Sequence, residues 1–257
     1  MAEATATTNR PAWVDLSSSD AAASREFYSK LFGWEVVVSP DPQYGGYAMA
    51  RVGGEEVAGI GPKMSPEAPT AWSVYIGTSD ADGLAQKVQD AGGTVIAPAF
   101  DVGDQGRMAV FQDPSGAFIS AWQPGAMGSF KSGELHTFGW AELSARGIEK
   151  AVPFYKSVFG WTDKQSDMGE GAPPYREFQL SGESVAGGME MNTMVPAEVP
   201  SHWMVYFMVA DVDASAQLAK QGGAQELAAP QDFPGGRFAI LMDPQGAAFG
   251  VLSMPPR

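Results

Sequence analysis

Apolar positions along this chain switch repeatedly between period two and a helical period. Residues 12–18 alternate loosely behind a large aromatic, as a short strand does. Ser19 or Asp20 then stands at an N-cap, and Ala23, Phe27 and Leu31 fall at i, i+4 and i+8. This predicts a helix over 21–31, stopped by Gly33. Residues 34–38 are rich in β-formers. After a Pro/Gly loop (PDPQYGG), YAMARVGG and EEVAGIGP read as two strands joined at Gly53-Gly54. From residue 71 the order begins again: a strand over 71–78, a helix over 80–93, and the strand TVIAPAF. RMAVFQD and GAFISAWQP follow, joined by a turn at Asp113-Pro114-Ser115-Gly116.

The second half repeats this plan. WVDLSSSDAAASREFYSKLFGW (13–34) returns as WAELSARGIEKAVPFYKSVFGW (140–161) at a constant offset of 127. A strand from Thr137, a helix over 147–159, a loop with Pro173-Pro174 and the paired strands of YREFQLSGESVAGGMEM continue the copy. A strand over 202–210, a helix over 211–223, and RFAILMD and AAFGVLS around Asp243-Pro244-Gln245-Gly246 complete it. Trp72/Trp203 recur at offset 131, and Gly93/Gly223, Arg107/Arg237 and Asp113/Asp243 at offset 130. A repeat of this length marks duplicated structural units. The expectation is an α+β chain of four βαβββ modules. Residues 1–10 form a flexible tail, 11–123 a first domain, 124–134 a Gly/Ser/Pro linker and 135–257 a second domain.

Composition narrows the chemistry. The 257 residues contain no cysteine, which excludes disulfides, Cys-ligated metals and a cysteine nucleophile. The net charge of −14 and the lack of a basic cluster argue against nucleic acid. No apolar run approaches a membrane span or a signal peptide, so a soluble cytoplasmic protein without a membrane partner is expected. The Gly-Gly pairs read as turns; none sits in the strand–GxGxxG–helix context of a dinucleotide site, and no GxSxG elbow occurs.

Four βαβββ modules, helix ends FYSKLFGW and FYKSVFGW, and the DPSGAFI and DPQGAAF turns together resemble the vicinal oxygen chelate superfamily, which includes glyoxalase I, bleomycin-resistance proteins and extradiol dioxygenases. The resemblance spans about residues 11–253, within a two-repeat branch loosely named glyoxalase-like or hydroxylase proteins. It implies paired modules curling their sheets into cups. The modules pair either within each half, or first with fourth and second with third. In metal-using members, His or Glu ligands enter the cup from the first and last strands of the modules. Here those positions fall on Trp13 and Trp140, near Ser73 and Met204, and near Ser120 and Gly250. The fourth-strand stretches VAGIG and VAGG offer no carboxylate. A divalent site needs converging imidazole and carboxylate donors. The two histidines, His136 and His202, lie at strand starts, ahead of the ligand positions. No metal and no cofactor are therefore expected.

Strand alternation proposes the lining. Val14, Leu16, Trp72, Val74 and Ile76 would face the helices. Trp13, Asp15, Ser73, Tyr75, Ser120 and Trp122 would face the first cup, and Trp140, Glu142, Met204, Tyr206 and Leu252 the second. Such a wall suits a small planar or apolar ligand; alternatively its tryptophans plug the barrels. Asp15 and Glu142, each beside an indole, are candidate acid/base groups, or else carboxylates bonded to the neighbouring backbone or to Tyr or Arg across the cavity. Arg107 and Arg237 either meet those acids, bind an anion or sit on the surface. Phe27, Phe32, Trp34, Phe154, Phe159 and Trp161 belong to the core. Three functions stay open. One is a metal-free sequestration or resistance protein for an aromatic or hydrophobic metabolite. Another is a lyase, isomerase or hydroxylase-like tailoring enzyme using Asp15 or Glu142, with or without a metal at the His136/His202 pair. The third is an interaction protein with plugged barrels. A monomer or homodimer is expected.

Overall fold

The computed structural model describes residues 8–127, 130–166, 174–191 and 195–254. Most of the expected tail, part of the expected linker and Pro173 of the proline loop lie outside these residues. The first module is β1 (Pro11–Ser18), α1 (Ala21–Phe32), β2 (Glu35–Val38), β3 (Ala48–Val52) and β4 (Glu55–Pro62). The second is β5 (Ala71–Gly77), α2 (Ala81–Asp90), β6 (Thr94–Asp101), β7 (Gly106–Gln112) and β8 (Phe118–Pro124). The third is β9 (Phe138–Ala145), α3 (Ile148–Phe159), β10 (Thr162–Ser166), β11 (Tyr175–Leu180) and β12 (Glu183–Glu190). The fourth is β13 (His202–Met208), α4 (Val212–Gln221), β14 (Gln225–Phe233), β15 (Gly236–Met242) and β16 (Ala248–Ser253).

The βαβββ order thus occurs four times. The strands form two eight-stranded sheets, in the orders β2-β3-β4-β1-β5-β8-β7-β6 and β10-β11-β12-β9-β13-β16-β15-β14. Sequence patterning had not singled out β10 or β14. Both are sheet edges: TDKQS has no apolar residue, and QELAAPQDF is largely exposed and carries Pro230. A strand with neither face in a core has no alternation to read, and only an edge tolerates the proline.

Helix ends follow local chemistry. The Asp20 carboxylate accepts the Ala23 N–H at 3.0 Å, and Gly33 closes α1 in the left-handed region, its N–H bonded to Ser29 O. Asp80 and Asp211 cap α2 and α4 in the same way. Helix α3 has Gly147 at its cap and no side chain of its own to use. Glu190 of β12 substitutes, accepting the Gly147 and Ile148 N–H groups at 2.9 and 2.8 Å.

Two compact units divide the chain, one holding most of the second and third modules, the other most of the first and fourth. In the former, Tyr155 of α3 donates to Asp113 Oδ2 at 2.8 Å and accepts from Trp203 Nε1 at 2.8 Å. Asp113 Oδ1 ties its own turn through the Ser115 and Ala117 N–H groups. Trp161 stacks on Tyr155, with ring centroids 5.5 Å apart, and donates to Asn9 O at 2.7 Å. The other unit builds the same device: Tyr28 to Asp243 at 3.0 Å, Trp72 to Tyr28 at 2.9 Å, and Trp34 stacked on Tyr28 while donating to His136 O. Within each unit the Phe-Tyr…Phe-Gly-Trp helix end of one half grips the Asp-Pro turn of the other half. All of these rings are buried, which leaves no polar atom of the cluster to be satisfied by water.

Candidate functional site

Val14, Leu16, Trp72, Val74, Ile76, Val205, Phe207 and Val251 are buried, and alternation turns the intervening residues to the opposite sheet face. On that face of the first module, Asp15 of β1 pairs in register with Gly59 of β4. The missing side chain at Gly59 makes room for Tyr47. A Cβ there would stand 1.7 Å from Tyr47 Oη and 3.0 Å from Asp15 Cβ, and one at Gly61 would meet the same ring at 2.8 Å. Tyr47 Oη donates to Asp15 Oδ2 at 3.2 Å.

The third module builds the counterpart. Glu142 pairs in register with Gly187, whose added Cβ would lie 1.8 Å from Tyr175 Oη. Trp140 Nε1 donates to Tyr175 Oη at 2.8 Å, and Tyr175 bonds Glu142. An indole, a phenol and a carboxylate thus form one relay. Burial, reinforced by the Glu142 charge, holds the Tyr175 hydroxyl far above its ordinary range, so it stays a donor. Tyr47 and Tyr175 were absent from the sequence candidates. A signal existed: Tyr47/Tyr175 and Gly59/Gly187 share an offset of 128.

The remaining candidates divide by module. In the second, Tyr75 pairs in register with Ser120, both buried, and the Tyr75 and Trp122 rings meet edge to face at 6.5 Å. In the fourth, Tyr206 lies over Gly250, where a Cβ would meet its ring at 2.0 Å, and its ring meets Phe238 at 6.3 Å. Leu252 pairs with Phe238, and Met204 is buried. Trp13 is buried and Ser73 half-buried.

The arginines and histidines do other work. Arg107 joins Asp82 at the start of α2 to Asp101, and Arg237 joins Asp213 to Asp232 in the same pattern. These half-exposed pairs lash a hairpin to a helix and add little stability. His136 donates its backbone N–H to Met208 O, and the ring of His202 sits 2.9 Å from Pro200 O. Among the described residues no group of three His, Asp or Glu could hold a metal ion. Indoles stand at the first-strand positions, and tyrosines cover the fourth-strand glycines. This donor set does not fit the family's divalent ion.

Residues 10–120 match the Glyoxalase/Bleomycin resistance protein/Dioxygenase superfamily, and residues 140–252 match the Glyoxalase-like domain. The chain belongs to this superfamily. It is 42% identical over 254 residues to "Putative glyoxylase CFP32" of Mycobacterium tuberculosis, covering 96% of this chain and 95% of the relative. It is 38% identical over 259 residues to the anthracycline biosynthesis protein DnrV of Streptomyces peucetius, covering 95% and 93%. The Mn(II)-bound glyoxalase of Novosphingobium aromaticivorans shares the fold at TM-score 0.68 and 19% identity, covering 96% of this chain and 82% of that one. The 2,3-dioxygenase LapB of Pseudomonas sp. KL28 does so at TM-score 0.64 and 15% identity, covering 96% and 93%. Among the described residues no helix is long and apolar enough to cross a membrane.

Proposed function

We propose that this chain binds a small planar aromatic or hydrophobic metabolite on the aromatic faces of its sheets, without a metal ion, in a sequestering or resistance role. The observation that carries this reading is the tyrosine-over-glycine exchange. Tyr47 over Gly59 and Tyr175 over Gly187 fill the fourth-strand positions with rings, and each ring is fixed by a carboxylate. Rings held in place by hydrogen bonds offer stacking area at low entropic cost. Relatives named for anthracycline biosynthesis point to the same chemical class of ligand.

A second reading, an enzyme acting on a reactive carbonyl or tailoring a natural product, draws on the Glu142–Tyr175 and Asp15–Tyr47 pairs. A carboxylate bonded to a phenol can move a proton. The provisional glyoxylase name of one relative lies in the same direction. The test is tryptophan fluorescence titration with polycyclic aromatic compounds, before and after treatment with a chelator. Quenching that saturates and survives chelation is expected. Binding lost on chelation and restored by one divalent ion per site would overturn the metal-free reading. Turnover of a bound compound, abolished by Glu142→Gln or Asp15→Asn, would favour the enzyme.

A further inference from the structure

The duplication supplies an internal comparison between modules two and four. Trp122 and Leu252 occupy the same place, at offset 130, opposite Met108 and Phe238 respectively. Tyr75 and Tyr206 stand on the adjoining strands, paired with Ser120 and Gly250. In module four Leu252 brings no polar side-chain atom to this place. Module two carries an indole whose Nε1–H is buried and has no hydrogen-bond partner among the described residues. Five of the other six indoles, those of Trp34, Trp72, Trp140, Trp161 and Trp203, donate to a protein oxygen. An orphaned buried donor costs free energy that a leucine would spare. The copy fills the place with Phe238 and Leu252 where this module has Met108 and Trp122, so the face can be filled without an indole donor.

We propose that Trp122 Nε1–H is the polar anchor of the ligand face of module two, and that it donates to a carbonyl oxygen carried on a planar aromatic ring system. The proposal rests on the binding reading above and deepens it to a ligand class, aromatic ketones and quinones. The Tyr75 ring, edge-on to Trp122, bounds the ring system, and Ser120 lies two residues back on the same face of β8. Module four, with Leu252, lacks the anchor, so the two modules discriminate ligands differently.

The probes are 9-fluorenone and fluorene, planar tricyclic compounds that differ in one carbonyl. Calorimetric titration of the full chain is expected to show about tenfold tighter binding of fluorenone, the factor that one hydrogen bond to an otherwise unsatisfied buried donor supplies. In Trp122→Phe the affinity ratio of the two compounds should fall to near one. The free variant, relieved of an orphaned donor but smaller by one ring, reports folding through its circular dichroism. Should it fail to fold, the wild-type protein labelled with 15N at indole nitrogens gives an independent reading: one indole N–H resonance moves downfield with fluorenone and stays with fluorene. Equal affinities in the wild type, an unchanged ratio in the variant, or no such resonance shift would overturn the anchor while leaving aromatic binding intact. Failure of both compounds to bind the wild type would overturn the binding reading itself and the anchor with it.

Discussion

Replacing Tyr155 by Phe removes one oxygen from the buried cluster of the unit that holds modules two and three. That oxygen serves two partners, Asp113 Oδ2 at 2.8 Å and Trp203 Nε1 at 2.8 Å. Both partners are more than nine-tenths buried, so water cannot replace it. Each stranded buried group costs about 1–3 kcal/mol, more when charged. Asp113 keeps the Ser115 and Ala117 N–H groups on its other oxygen, which moderates its share. The expected loss is therefore about 2–5 kcal/mol, a large part of the roughly 5–15 kcal/mol of a whole domain. Urea unfolding followed by circular dichroism reads it as a fall in midpoint. The cluster reasoning also fixes the shape of a double-mutant cycle. Trp203→Phe in the Tyr155→Phe background removes a donor already stranded, so its cost there should be smaller than in the wild type. A Tyr155→Phe loss below about 1 kcal/mol, or strict additivity with Trp203→Phe, would refute the shared-oxygen account.

Burial raises the Asp243 carboxyl above its ordinary 3.8, so its contribution to stability is full below that value and is lost as pH rises through the folded pKa; Asp243→Asn should flatten that stretch of a plot of thermal midpoint against pH. Burial also pushes Asp163 upward, but its bonds to Lys156 and Arg176 outweigh this and leave it lowered. Its contribution is present above 3.8 and lost as pH falls through the folded pKa, and Asp163→Asn should flatten the acid limb instead. Gly187→Ala drives a methyl group into Tyr175 Oη, expels the ring and breaks the Trp140–Tyr175–Glu142 relay. The expected cost is about 1–3 kcal/mol with an altered near-ultraviolet spectrum, and wild-type stability in that variant would contradict the packing described.

Local rules and the repeat wrote much of this chain into its sequence. The capping aspartates, the helix-ending Gly33, the alternation in β1 and β5 and the copied Phe-Gly-Trp signature depend on neighbours a few residues away, so four βαβββ modules were legible. Edge strands β10 and β14 were not, because a strand with no face in a core shows no period. Nor could sequence reveal that Tyr28 reaches Asp243 and Tyr155 reaches Asp113 across separations of 215 and 42 residues. Tyr47 and Tyr175 escaped for the same reason: their rings matter because a distant strand supplies a glycine beneath them. Periodicity records which side of a strand is buried. Only the folded chain decides which partner stands opposite, because hydrogen bonds and close packing depend on distances in space, which spacing along the chain leaves free.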